Sequence, residues 1–343
     1  MKKDLSLADV AVLKGIAIIS IVLHNFCHQL PGSAIENEYT FSVVRTWDFL
    51  ELLKHGEHVI LNVFSYAGHY GVPVFLFLSG YGLVKKYEQG NTKEMGIFSF
   101  IWYNVKKMWW LLIPGLCLWF CSDMYLHQWH WSHHWYNVLQ MVTFTGNLFP
   151  ETDLLLGPWW YFSLTMQLYV VYRLFLYKCG WGRFTLVVSL CAGLLVLVTV
   201  FHFHLHYVRY NFVGWMIPFA LGISMAKTGL YYSKSYSFVC FVMFVACWFD
   251  EVSWLFSAIF FVLMLLPAVE LKGRWREGFA FVGKLSAYLF VMHPIVRPYF
   301  VQLVEKGWSS YLCVALYFIV SLFVAILYRQ SVTLLKGRTR SAV

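Results

Sequence analysis

The sequence predicts an all-α, polytopic integral membrane protein. It is read as one domain over residues 1–343, with about ten transmembrane helices and both termini in the cytoplasm. Three observations predict this: composition, the spacing of apolar runs, and the distribution of charge. Of the 343 residues, 60% are hydrophobic, 20% aromatic and 13% charged, about half the charged share of a soluble domain. Mean hydropathy is +0.62. A water-soluble fold of this size has too little interior to hide that much apolar surface. Composition thus excludes an ordinary soluble enzyme, a disordered chain and a secreted disulfide scaffold.

Runs of about 20 apolar residues span ~30 Å of hydrocarbon. Ten such runs occur, at 10–30, 60–84, 108–126, 158–177, 184–203, 210–226, 235–249, 252–270, 279–297 and 309–330. Only Asp250 and Glu251 separate the seventh from the eighth, which makes this the weakest boundary. With loops alternating in side, 21 of the 26 Lys and Arg fall on one face; Arg45, Lys54, Arg209, Arg297 and Lys306 fall on the other. The positive-inside rule makes the first face cytoplasmic. The acids divide 6 inside and 11 outside, so the formal charge of +9 resolves into +15 inside and −6 outside. A dispersed basic excess of this kind is an orientation signal and no nucleic-acid footprint. The first run lacks a small-residue cleavage site and is long enough to remain a span. The eight Cys lie mostly within spans, so no disulfide framework is implied. The outer loops 31–59 and 127–157 carry Trp47, Trp129, Trp131 and Trp135, suited to short interfacial helices.

Ionisable groups at membrane depth are costly and mark function. The first span holds Lys14, His24, Asn25 and His28; Lys14 also suits a cytoplasmic snorkel, and His28 the outer interface. The second contains Gly71, Pro73, Gly80 and Gly82, which predicts a kinked or broken helix lining protein or a wet cavity. Ser79 has the chemistry of a nucleophile in the setting of a small packing residue. Gln167 places a buried amide in the fourth span, and His293 precedes Pro294 in the ninth, where the helix is expected to bend or end. His130 and His134 have helical ligand spacing, yet no nearby carboxylate or Cys completes a first shell. The loop is therefore read as interfacial, as are His202, His204 and His206, and no metal is expected.

Four segments resemble the membrane-bound acyltransferase-3 family. They are Leu13-Lys-Gly-Ile-Ala-Ile-Ile-Ser-Ile-Val-Leu-His24, Gly71-Val-Pro-Val-Phe-Leu-Phe-Leu-Ser-Gly-Tyr81, Trp160-Tyr-Phe-Ser-Leu-Thr-Met-Gln-Leu-Tyr169 and Ser286-Ala-Tyr-Leu-Phe-Val-Met-His-Pro294. Each is weak alone; four in order across residues 10–298 are fairly specific. The resemblance implies O-acyl transfer, usually of acetyl from cytoplasmic acetyl-CoA, to a sugar hydroxyl of an envelope glycan, exopolysaccharide or lipid-linked precursor. It implies a multi-pass protein of the inner or plasma membrane, with acyl-CoA as cosubstrate and no bound cofactor. His24 matches the family's histidine, as general base or acyl relay. Lys14, Lys85, Lys86, Lys106 and Lys107 are implied to hold the donor. Asn25, Ser79, Tyr81, Trp160, Gln167, Tyr169 and His293 are implied to line the substrate pocket.

Three departures bear on these roles. Nine residues separate Lys14 from His24 where the family commonly has ten, which turns Lys14 ~80° off the histidine's face rather than ~20°. The family's Arg-x-x-Arg is replaced by the looser Lys106-Lys-Met-Trp-Trp-Leu-Leu-Ile-Pro114. Gln167 stands at or beside the place of an acid seen in some members. The rival readings are a transporter or exporter of glycans or small metabolites, which needs no His24 chemistry, and a catalytically silent member.

Overall fold

The structure, a computed structural model, describes residues 4–56, 58–127, 135–149, 156–230 and 232–341. The described residues are helical apart from turns and loops. Helix α1 (Leu7–Cys27) is the hub. It opens on a capping box: Ser6 Oγ accepts from the Asp9 N–H at 3.1 Å, and the Asp9 carboxylate accepts from the Ser6 N–H at 2.9 Å. Two orphan donors of the first turn are thereby satisfied reciprocally.

Around the hub lie α3 (Val59–Ala67), a 3₁₀ turn at Gly68–Tyr70 and α4 (Gly71–Tyr87) on one side, and α14 (Gly273–Glu305) on the other. The approach is close because glycines face backbone. A Cβ on Gly15 would sit 1.9 Å from the Phe279 carbonyl oxygen, and one on Gly283 1.8 Å from that of Ala11. A Cβ on Gly71 would meet the Ala17 oxygen at 2.4 Å. Without a hydrophobic drive between helices in lipid, such backbone-to-backbone packing holds a bundle together. Gly80 and Gly222 do the same between α4 and α10 (Phe212–Thr228). The second apolar run is indeed broken, as its glycines and proline predict, but at Gly68–Tyr70. Pro73 sits in the first turn of α4, where its missing N–H costs nothing. Gly80 serves close packing, and nothing lies within 4 Å of where a Gly82 Cβ would be.

The remaining elements follow in order. They are α2 (Val43–His55), α5 (Ile97–His127), α6 (Trp135–Thr143) and α7 (Trp160–Val171), whose end is a π turn at Tyr172–Leu176. Then come α8 (Trp181–Val200), α9 (Leu205–Tyr210), α10, α11 (Lys234–Ala246), α12 (Glu251–Trp254), α13 (Ser257–Leu265), α14 and α15 (Ser310–Ser341). Helices α2 and α6 lie in the two outer loops that were expected to carry short ones.

All ten expected spans fall on helices, and the doubtful split at Asp250 is real: its carboxylate caps α12, accepting from the Ser253 N–H at 2.8 Å. Length and composition make six of these helices candidate membrane spans: Leu7–Cys27, Val59–Tyr87, Ile97–Leu126, Trp181–Val200, Gly273–Glu305 and Ser310–Gly337. Phe212–Thr228, Lys234–Phe249 and Ser257–Glu270 are apolar but shorter. Outward faces are apolar too: Leu186, Leu190, Leu194 and Leu197 along α8 are 47% to 63% exposed. A stripe of that kind belongs against lipid. All eight cysteines are free thiols.

Candidate active site

A cavity of about 200 Å³ opens beside the C-terminal end of α1, lined by His24, Asn25 and His28 together with Glu36, Glu38, His69, Trp160 and Arg297. His24 is 4% exposed. Its Nδ1 lies 2.9 Å from the Ser65 carbonyl oxygen and 3.2 Å from that of Phe64. Carbonyls only accept, so Nδ1 carries the proton and Nε2 keeps its lone pair. Both acceptors belong to the last turn of α3, and the Phe64 carbonyl also accepts the Gly68 N–H. Ser20 adds a second tie from α1 to this turn, donating from Oγ to the Gly68 carbonyl at 2.9 Å. Gly68 is required here: a Cβ would stand 2.6 Å from the His24 Cβ.

Three more histidine and arginine groups surround this base. His28 pairs its Nδ1 with the His24 carbonyl at 2.9 Å, and the two rings lie 4.8 Å apart. The His69 ring meets that of His24 edge-on at 5.5 Å, and its buried Nδ1 has no hydrogen-bond partner among the described residues. Arg297 donates to the Asn25 backbone carbonyl at 3.2 Å and to its Oδ1 at 3.4 Å.

The loop after α1 folds back over the cavity. Its backbone is tied at several points. Ala34 N–H donates to Asn62 Oδ1 at 3.0 Å, and Ser65 Oγ to the Ala34 carbonyl at 2.6 Å. Trp254 Nε1 donates to the Asn37 carbonyl at 2.8 Å. Buried Arg209 donates from Nε and Nη2 to the Glu38 carbonyl at 3.1 and 2.8 Å, its guanidinium 4.6 Å from the Trp215 and Trp254 rings. These ties bring a carboxylate oxygen of Glu36, one of Glu38 and a ring nitrogen of His24 within 4.8 Å of one another. Such a trio also has the donor types of a cation site. Burial, reinforced by the neighbouring Glu36, pushes the Glu38 carboxyl up to about 8.

Of the expected pocket residues, Asn25 and Trp160 line the cavity with His24. Ser79 and Tyr169 lie one layer away: the Ser79 hydroxyl pairs with those of Tyr169 and of Tyr161, which does line it. Three others are placed elsewhere. Tyr81 lies in the second half of α4 on another face, where its hydroxyl accepts from the Leu5 N–H at 2.9 Å. Gln167 holds the start of α10, donating to Asn211 Oδ1 at 2.7 Å and accepting from the Phe212 N–H at 3.0 Å. His293 is fully buried inside α14, which runs on through Pro294 and Pro298 rather than ending. Its Nδ1 bonds the Leu289 carbonyl at 3.0 Å and its Nε2 has no partner.

The lysines gather at the opposite end of the bundle. Lys106 and Lys107 line a second cleft of about 840 Å³ with Trp102, Tyr103 and Trp110. Lys86 lies over the Tyr87 and Tyr103 rings at 4.7 and 4.9 Å, and Lys85 pairs with Asp4 at 2.7 Å. Lys14 is close enough to Lys107 to feel its charge. It belongs to the basic end and not to the His24 face, in keeping with its ~80° offset on the helix. The His130, His133 and His134 cluster lies outside the described residues.

A family model described as an acyltransferase domain matches residues 7–329. The chain belongs to the acyltransferase-3 family. No curated protein and no solved structure matches it. By its family and its apolar helices this acyltransferase-3 protein is a multi-pass membrane acyltransferase.

Sequence reasoning missed Glu36, Glu38, His69, Tyr39, Tyr210 and Arg297 around the base. His69 carried a usable signal, since the depth criterion that singles out His24 applies to it equally. The two glutamates carried only a weak one: two acids spaced i, i+2 in an outer loop.

Proposed function

We propose that this protein moves an acyl group, acetyl foremost, from cytoplasmic acyl-CoA to a hydroxyl of an envelope glycan, exopolysaccharide or lipid-linked sugar. The observation that supports this reading most is the tautomer of His24. With Nδ1–H engaged by the Ser65 and Phe64 carbonyls, Nε2 is the free base. In the reaction an acceptor hydroxyl binds Nε2 and loses its proton as its oxygen attacks the thioester carbonyl. The new C–O bond forms, the C–S bond breaks, and the imidazolium returns the proton to the departing CoA thiolate. Positioned proton transfer of this kind is worth ~10²–10⁴-fold in rate. Burial of the base keeps water, the competing nucleophile, away.

The donor's phosphates are read as landing on Lys106 and Lys107, with Lys14 and Lys86 adding charge behind them. The same reading threads the chain ten times through the inner or plasma membrane with both termini cytoplasmic. The test is transfer of label from acyl-CoA into glycan by membranes holding the full chain, wild type against His24→Ala. Equal transfer by both sinks the His24 mechanism. A reporter fused after Val343 that is found outside the cell sinks the topology.

A further inference from the structure

The wall of the His24 cavity carries a positive charge with no ion-pair partner. Arg297, on α14, lines the cavity. Among the described residues no carboxylate pairs with it, although Glu36 and Glu38 line the same space. A guanidinium on a membrane helix without a counter-charge is costly and marks a use. Its anchor is the turn that carries the base. The Gln29 N–H bonds the Phe26 carbonyl at 3.1 Å instead of continuing α1, which leaves the Asn25 carbonyl to Arg297 Nη1 at 3.2 Å. Asn25 directly follows His24, and the Arg297 charge acts on both His24 and His28. The guanidinium is only part used. Both bonds to Asn25 run from Nη1, and among the described residues neither Nε nor Nη2 has a hydrogen-bond partner. Two other donors beside the base are engaged: Asn25 Nδ2 with the Ile21 carbonyl and His28 Nδ1 with the His24 carbonyl, both at 2.9 Å.

We propose that Arg297 is a second catalytic residue, whose free Nη2–H binds the thioester carbonyl oxygen of acyl-CoA and stabilises the oxyanion that forms there. The proposal rests on the acyltransfer reading and supplies the electrophilic half of its site. As the acceptor oxygen attacks, the π pair of the C=O bond moves onto the carbonyl oxygen, and the guanidinium meets that charge. As the C–S bond breaks, the pair returns to re-form C=O, and the thiolate takes the proton from His24. The oxygen bears its full charge only in the tetrahedral state, so a fixed cation lowers the barrier more than it tightens substrate binding. The base and the donor sit on different helices. The Asn25 tie holds them in one place before the thioester arrives, so little reorganisation is needed during the reaction.

The test reads binding and needs no acceptor. The full chain in detergent is titrated with two unreactive donor analogues. Acetonyl-CoA keeps a planar ketone where the thioester carbonyl would be; trifluoroacetonyl-CoA hydrates there to a tetrahedral carbon with an acidic hydroxyl. The wild type is expected to bind the second at least ~10-fold more tightly, as sites built for a transition state do. Arg297→Gln and Arg297→Met, two neutral replacements, are each expected to bring the pair within about 2-fold while the Kd for acetonyl-CoA holds. In membranes the same variants are expected to lower kcat for label transfer from acetyl-CoA to endogenous glycan by ~100-fold or more, with the KM for acetyl-CoA within about 3-fold. Equal affinities in the wild type overturn the proposal whether or not the variants fold. So does a preference that survives both substitutions, or affinity for the two analogues falling together, which makes Arg297 a structural or donor-holding residue. A wild type that binds neither analogue nor acetyl-CoA overturns the acyl-CoA reading itself and is thereby distinguishable.

Discussion

The two ends of the bundle solve opposite problems. At the His24 end the base and the loop backbone are fixed. The imidazole is held by carbonyls of a broken helix, and the acid-bearing loop is tied by Arg209, Trp254, Asn62 and Ser65. At the lysine end the cleft is roomier, about 840 Å³ against about 200 Å³. Its charges ride on flexible stems laid over Trp102, Tyr87 and Tyr103. Chemistry needs atoms held within fractions of an ångström, whereas capture of a polyanion needs only charge density. The difference is the one expected if the first end reacts and the second binds, as proposed.

Several substitutions break or sharpen that contrast. The largest effect is expected from His24→Ala, which removes the base. Transfer from labelled acyl-CoA falls at least ~100-fold, with acyl-CoA binding kept. Gly68→Val attacks the fixed end through its packing alone, since a Cβ there collides with the His24 Cβ and the Ser20 carbonyl. Transfer is expected to drop by ~10-fold or more while the protein still elutes as a folded peak in detergent. A larger cost in yield follows Gly15→Leu, because its Cβ would meet the Phe279 oxygen at 1.9 Å and split α1 from α14.

At the lysine end, Lys106→Ala with Lys107→Ala is expected to raise the KM for acyl-CoA about 10-fold and leave kcat within about 2-fold. The KM shift should shrink as salt rises, because the contacts are screened charges. A fall in kcat at this end would erase the division of labour.

The smallest and most diagnostic effect is in pH. The Glu38 carboxyl is pushed up to about 8 in the folded protein, against ~4.3 in an unfolded chain. The unfolded state therefore sheds this proton first, and stability falls as pH rises between those values, levelling above about 8. Glu38→Gln should flatten the decline in Tm measured from pH 5 to 9. An unchanged slope would mean that the acid is not buried as described.

Particular residues show why part of the site was legible and part was not. His24 announced itself because an imidazole at membrane depth has a cost that demands a use. Gln167 met the same test and is placed away from the His24 cavity: its amide holds Asn211 and the Phe212 N–H at the start of α10. Tyr81 shares a motif with Ser79 yet lies ~200° around the helix from it, bonded to Leu5 and Asp4. A motif records neighbours along the chain, and the cavity collects neighbours in space. Glu36 and Glu38 were invisible for that reason, since nothing local says that their loop folds back over α1.

The sequence alone determined the class of the molecule. Apolar excess and its period force helices into lipid, because a bilayer leaves no other way to satisfy backbone polar groups, and four ordered motifs pointed to the family. Helical phase put the partnership of Lys14 with His24 in question and left it open to repair by a local bulge. Only the tertiary structure decided the contents of the site. The tautomer of His24 depends on carbonyls 40 and 41 residues away in the last turn of α3, and the carboxylates depend on a loop held by a residue 171 positions distant. Hydrophobic pattern is local and survives in one dimension; hydrogen-bond geometry at long separation exists only once the helices have packed.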